Sequence, residues 1–148
     1  MSTLSPRPVA VEPEYITDQV INIDKLLQNA HRPGAGGIVL FCGEVRDNQM
    51  GRPVKYLVYE SYASMADKII REIVNTAVQK WDLQYASALH RIGKLEINEC
   101  AVAVVTAHAH RKEAYEANQY IIDRIKHEAP VWKCEYFGDG THEWGKNC

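Results

Sequence analysis

Two stretches of this 148-residue chain are apolar almost without a break: G-G-I-V-L-F-C-G-E-V from Gly36 to Val45, and C-A-V-A-V-V-T-A-H from Cys100 to His108. Runs of that length and β-branched content predict central strands buried on both faces. Three other segments repeat at helical spacing. Ile23, Leu26, Leu27 and Ala30 define a short helix that Asn22 caps. Met65, Ile69, Ile73, Ala77 and Trp81 recur every four residues behind Ser64 and Asp67, which resemble a capping box; they predict a helix from Met65 to about Lys80. Ala114, Ala117, Ile121 and Ile125 form the inner stripe of a third helix over Lys112 to Glu128. Pro130 stops it by driving Ala129 out of helical angles.

Weaker strand signals fill the intervals. Tyr15 to Val20 is a short mixed candidate, Val54 to Tyr62 an aromatic and β-branched one, and Ala86 to Ile92 is closed by Gly93. Beyond Pro130, V-W-K-C-E-Y-F alternates, with Val131, Lys133 and Glu135 on one face and Trp132, Cys134 and Tyr136 on the other. Asp139-Gly140 signals a hairpin into T-H-E-W as an edge strand. The H-R-P-G-A-G-G turn before Gly37 lacks both the Lys-Ser/Thr ending of a P-loop and the spacing of a dinucleotide fingerprint, so it reads as a linker. The D-N-Q-M-G-R-P loop is short enough to join its flanking strands as an antiparallel pair.

The resulting order, β-α-β-β-α-β-β-α-β-β, predicts one α+β or mixed α/β domain over residues 15–148 with several antiparallel pairings. Residues 1–14 carry three prolines and no apolar core, which predicts a disordered leader and not a signal peptide.

Composition narrows the function classes. Seventeen Lys and Arg against nineteen Asp and Glu give a net charge of −2, so no global basic field draws the chain to nucleic acid or membrane. No apolar run approaches the roughly 20 residues of a membrane helix. The four cysteines form no C-x-x-C pair, which excludes zinc-ribbon and thioredoxin-type sites and fits reduced, structural thiols in a cytoplasm. No metal site and no cofactor are expected: His108 and His110 have no third ligand at suitable spacing. A Cys-His hydrolase remains open on composition, without a local signature.

Positive charge is instead concentrated locally. Arg46, His110 and Arg111 each follow a strongly apolar strand, where ligands collect in mixed sheets. Lys126 lies in the last turn of the third helix and Lys133 just past Pro130, so the two are near one another in space. Both lysines also have an ordinary reading, one meeting the helix dipole and the other protecting a strand. Guanidinium groups bind phosphate in a bidentate manner, and a lysine among cations has a lowered pKa; the set suits an anionic, phosphate-bearing substrate.

Four motifs carry a resemblance: F-C-G-E-V-R at 41–46, H-R-I-G-K-L at 90–95, A-H-R at 109–111 and I-K-H-E-A-P-V-W-K at 125–133. In order and spacing, over about Gly36 to Trp144, the chain resembles the large, catalytic subunits of molybdopterin synthase, the MoaE family. The resemblance implies an α/β hammerhead fold with an additional antiparallel sheet. It implies a sulfurtransferase of molybdenum cofactor biosynthesis, in which a small ubiquitin-like subunit donates sulfur from its C-terminal thiocarboxylate to cyclic pyranopterin monophosphate, two transfers making the dithiolene. It further implies a homodimer of large subunits within a heterotetramer.

Carried over by motif, Lys126 matches the principal catalytic lysine and Lys133 the second. Glu44, Val45 and Arg46 match a substrate-binding segment, as do Cys134 and Glu135 after Lys133. His110 and Arg111 match an anion-binding pair contributed across the dimer. Glu44 departs from the neutral or basic residue that family members often carry, and Lys146 is the sole cation after Trp144, where many relatives continue with basic residues. The competing class is a non-catalytic binding module for a ubiquitin-like partner.

Overall fold

The computed structural model describes residues 15–147; the expected leader over residues 1–14 lies outside them. Within that span the chain forms β1 (Ile16–Thr17), α1 (Ile23–Ala30), β2 (Gly37–Glu44), β3 (Asn48–Gln49), β4 (Arg52–Ser61), α2 (Ala63–Trp81), β5 (Tyr85–Arg91), β6 (Gly93–Glu96), β7 (Cys100–His108), α3 (Arg111–Glu128), β8 (Val131–Phe137) and β9 (His142–Lys146). Two sheets result. One has the order β1-β5-β7-β2, with β1 parallel to β5 and the rest antiparallel. The other is antiparallel, in the order β3-β4-β8-β9, with β6 paired to β4. This is the α/β hammerhead arrangement with its added antiparallel sheet.

Strand β7 is the spine of the first sheet, and its alternation divides the core. Ala103, Val105 and Ala107 pack toward Leu26 and Ala30 of α1. Val104 on the opposite face joins the larger core, which holds Ile70, Val74 and Ala77 of α2, Ile121 and Ile125 of α3, and Leu57, Leu95 and Val131 of the second sheet. Burial on both faces explains why β7 reads as a continuous apolar run.

Strand β2 differs from its sequence signal. It is the terminal strand of its sheet, and its residues are half-buried or exposed. Its apolar run therefore marks an edge face and not a central strand. Nor does it pair with the strand that follows. Strand β2 lies on β7 while β4 lies between β8 and β6, so the 47–53 segment crosses between sheets and forms the small β3–β4 hairpin on the way.

Two helix expectations need correction. Ser64 does not cap α2: the N-cap is Tyr62, and Asp67 instead accepts from the backbone N of Tyr15 at 2.5 Å and from Arg71 at 2.9 Å. The buried stripe of α2 is Ala66, Ile70, Ile73, Val74, Ala77 and Val78, rotated from the predicted one, so that Met65 is exposed. The Asn22 cap of α1 is observed, its side chain accepting from the backbone N of Lys25. The glycines before β2 are packing residues as well as linker: a Cβ on Gly36 would stand 2.6 Å from the Ala109 carbonyl oxygen.

Helix α3 docks on this sheet through small residues and one amide. Ala114 and Ala117 are fully buried. Between them and Ile121, Asn118 sends its Nδ2 to the carbonyls of Val39 at 3.1 Å and Val104 at 3.0 Å, with Thr106 Oγ1 at 3.4 Å. Thr106 in turn donates to the Ala114 carbonyl at 2.7 Å. One side chain thus ties the helix to two strands. Asn118→Ala should lower the unfolding free energy by about 1–3 kcal/mol, the range for stranding buried acceptors, as read from the urea midpoint at unchanged m-value.

Candidate active site

Strands β4 and β8 set Tyr59 opposite Lys133 and Leu57 opposite Glu135. Alternation sends these four side chains to one face, toward the end of α3 and the end of β2. There they close a cavity of about 170 Å³, whose other walls are Phe41, Gly43, Glu44, Arg46, Asn48, Ala101, Val102 and Lys126. A bulge between Gly43 and Glu44 bends β2 over this space. Gly43 has no room for a side chain: a Cβ would meet Val102 Cγ1 at 2.9 Å and Phe41 Cε2 at 3.3 Å.

Of the residues predicted from sequence, Glu44, Arg46, Lys126, Lys133 and Glu135 line the cavity. Lys126, Lys133 and Glu135 are half-buried, while Glu44 and Arg46 are exposed. Arg46 is steadied by Gln49, whose Oε1 accepts from Nη2 at 3.1 Å. Val45 and Cys134 are not among the lining residues. Val45 is buried, with backbone hydrogen bonds to Glu99 and Asn98, and Cys134 lies buried on the opposite parity of β8.

His110 and Arg111 stand elsewhere. His110 is the N-cap residue of α3 and Arg111 its first residue, both exposed, in a separate concavity with Gly36, Ala109 and Lys112. Gly37, at the start of β2, packs against the Arg111 backbone, whereas Glu44 at the other end of β2 lines the cavity. Eight strand residues separate these ends by roughly 23 Å, beyond the reach of an arginine side chain.

Two residues, Tyr59 and Asn147, escaped the sequence reading, and a third, His90, entered it only within the H-R-I-G-K-L motif. Tyr59 lines the cavity as the cross-strand partner of Lys133; burial, with Glu135 nearby, pushes its phenol up to about 12, so it remains a neutral donor. His90 is fully buried and packs edge-on against Tyr59 at 5.1 Å. Asn147 accepts from Lys126 Nζ at 2.8 Å and meets His90 Nε2 at 2.7 Å. Tyr59 was recoverable only through strand register, and Asn147 only through the path of the chain after β9.

The fold and site thus define a mixed α/β domain that holds two lysines and an arginine around a small cavity. The MoaE protein family matches residues 16–128, and the chain belongs to that family. It is 41% identical over 119 residues to the molybdopterin synthase catalytic subunit of Pyrococcus abyssi, covering 80% of each chain. To that of Bacillus subtilis it is 40% identical over 129 residues, covering 87% of this chain and 82% of the relative. The crystal structure of molybdopterin synthase from Staphylococcus aureus superposes with a TM-score of 0.85 at 34% identity, over 91% of this chain and 98% of that one. A Helicobacter pylori complex of subunits 1 and 2 of molybdopterin-converting factor shares the fold, with a TM-score of 0.73 at 20% identity over 94% and 91% of the two chains.

Burial holds the His90 imidazole down at about 4, helped by the charge of Lys126, against 6.5 for an ordinary histidine. The unfolded chain therefore takes up a proton first as pH falls. Stability from this group is complete above about 6.5 and is lost on the way down to about 4, by about 1.4 kcal/mol per pH unit within that window. Urea unfolding at a series of pH values should show this slope, and His90→Gln should reduce it.

Proposed function

We propose that this chain is the catalytic subunit of a molybdopterin synthase, a sulfurtransferase that moves sulfur from the thiocarboxylated C-terminus of a small ubiquitin-like subunit to cyclic pyranopterin monophosphate, building the dithiolene of molybdopterin. The observation that carries this reading is the convergence of Arg46, Lys126 and Lys133 on one cavity, in a member of the MoaE family. The sulfur arrives on the partner's tail, so this subunit needs no cysteine nucleophile. It needs fixed cations to hold a cyclic phosphate and to offset negative charge during transfer.

The cysteines accord with that division of labour. Cys134 is buried, and its thiol is pushed up by that burial. Cys100 is pushed up to about 12, first by burial and then by Cys42 beside it. Both thiols are held in their less nucleophilic, protonated form. Free thiols also accord with work in a reducing cytoplasm.

His110 and Arg111 enter this reading from a second copy. Strand β2 is the terminal strand of its sheet; it carries the exposed ring of Phe41, and the exposed ring of Tyr115 on α3 lines the same surface. A two-fold axis that set β2 antiparallel to its symmetry mate would bring the Gly37 end of one copy, with His110 and Arg111, to the Glu44 end of the other. Each cavity would then gain two groups for the substrate phosphate, in a homodimer that binds one small subunit at each cavity.

Lys126→Ala should abolish product formation when the protein is reconstituted with the thiocarboxylated small subunit, while its far-UV circular dichroism stays unchanged. Full turnover in that variant would remove Lys126 from the mechanism, and complex formation without turnover in the unmodified protein would favour a binding module. Arg111→Ala should also be inactive. Subunit exchange between the two inactive variants should restore about a quarter of the sites, because a mixed dimer rebuilds one complete cavity. No recovery would show that Arg111 does not act in a partner's cavity.

A further inference from the structure

The cavity lysine is not loosely presented. We propose that His90 and Asn147 are positioning residues for Lys126, forming a hydrogen-bond chain that runs from the β5 backbone and aims the lysine ammonium at the cavity. The proposal rests on the reading of Lys126 as an active-site lysine.

The direction of every hydrogen bond in the chain follows from elementary donor and acceptor counts. An ammonium only donates, so Asn147 must turn Oδ1 toward Lys126 Nζ, at 2.8 Å. Its Nδ2 is then left facing His90 Nε2, at 2.7 Å, and must donate to it. Nε2 therefore carries no proton. The single imidazole proton sits on Nδ1 and is donated to the Arg91 carbonyl at 2.9 Å. Flipping either the amide or the tautomer would set two donors against each other.

Both intermediates are fixed by their surroundings. His90 is fully buried, its backbone N donates to the Tyr15 carbonyl at 2.9 Å, and Tyr59 packs against its ring. Asn147 is 2% exposed although it follows a fully exposed strand. Its backbone N donates to the Val131 carbonyl at 3.2 Å, and the preceding Lys146 donates to the His127 carbonyl at 3.0 Å. The segment after β9 is thereby stapled to the end of α3 and the start of β8, on either side of Pro130. A lysine stem is long and rotamer-rich, and a small displacement of a reacting group is costly to turnover, so a rigid acceptor beside the ammonium has a catalytic use.

The test uses the full-length protein and two readouts. The first needs no substrate: acylation of Lys126 by an amine-selective ester, followed by peptide mass spectrometry, with Lys133 as internal reference. In Asn147→Ala and His90→Leu, labelling of Lys126 should rise several-fold relative to Lys133. In His90→Gln, whose amide oxygen can replace the Nε2 acceptor, it should stay at the unmodified level. The second is turnover in the reconstituted synthase, where Asn147→Ala should lower kcat on the order of tenfold with KM nearly unchanged, and His90→Gln should retain most of it. Asn147→Ala lies outside the helices and strands, just after β9, and keeps the test open if His90→Leu fails to fold. Unchanged Lys126 labelling in folded Asn147→Ala overturns the proposal. So does raised labelling with unchanged kcat, because the tether would then exist without serving turnover. If the unmodified protein shows no turnover, the synthase reading fails instead, and the labelling ratio alone decides the tether.

Discussion

The close docking of α3 on β2 and β7 is the contact on which the rest depends. Ala114 and Ala117 let the helix backbone approach the sheet, and Asn118 closes the remaining gap by donating to a carbonyl on each strand. Small side chains contribute little apolar area each, but they permit hydrogen bonds that a larger residue would hold apart. Gly36 and Gly37 serve the same approach at the helix start, where side chains would strike the backbone of Ala109 and Arg111. Because the helix is held along its length, Arg111 at one end and Lys126 at the other have fixed places relative to β2.

The second sheet solves a different problem. A lysine pair near a helix C-terminus would be drawn to the helix dipole and to solvent. Strand β8 counters this by carrying Lys133 on the same face as Glu135, beside Tyr59 of β4. Two carboxylates, Glu44 and Glu135, stand among three cations, so the cavity is only modestly positive, in a chain whose overall charge is −2. The acid at position 44 belongs to this balance. Its exposed place at the end of β2 puts it on the rim of the cavity and not behind the lysines.

Much of this was legible in the chain because the signals were local. The inner stripe of α3, the stop at Pro130, the alternation through Lys133 and the hairpin at Asp139-Gly140 are each set by neighbours a few residues away, and each is observed. Non-local pairing was not legible. The apolar run of β2 resembles that of β7, yet β2 is an edge; hydrophobicity reports that a face is covered and not what covers it. Ser64 looked like a cap, but Asp67 is occupied by the Tyr15 backbone, a partner 52 residues away. Motif resemblance brought the lysines and Arg46 to the cavity and singled out the segment of His90, whereas Tyr59 and the link from His90 through Asn147 to Lys126 depend on strand register and on the return of the chain after β9, which no local pattern encodes.

The matched spans of α3 and β2 have a consequence for how this protein can vary. From Arg111 to Lys126 the helix rises about 22 Å, at about 1.5 Å per residue, and from Gly37 to Glu44 the strand covers about 23 Å at about 3.3 Å per residue. The two elements act as paired rulers, one dividing its length more finely than the other. Two residues added to the strand would keep its faces in phase but lengthen it by nearly 7 Å, about what four to five helical residues supply. One residue added to the helix would turn Lys126 by about 100° away from the cavity. Insertions are therefore tolerable in the turns and hairpins, while the lengths of this helix and this strand can change only together.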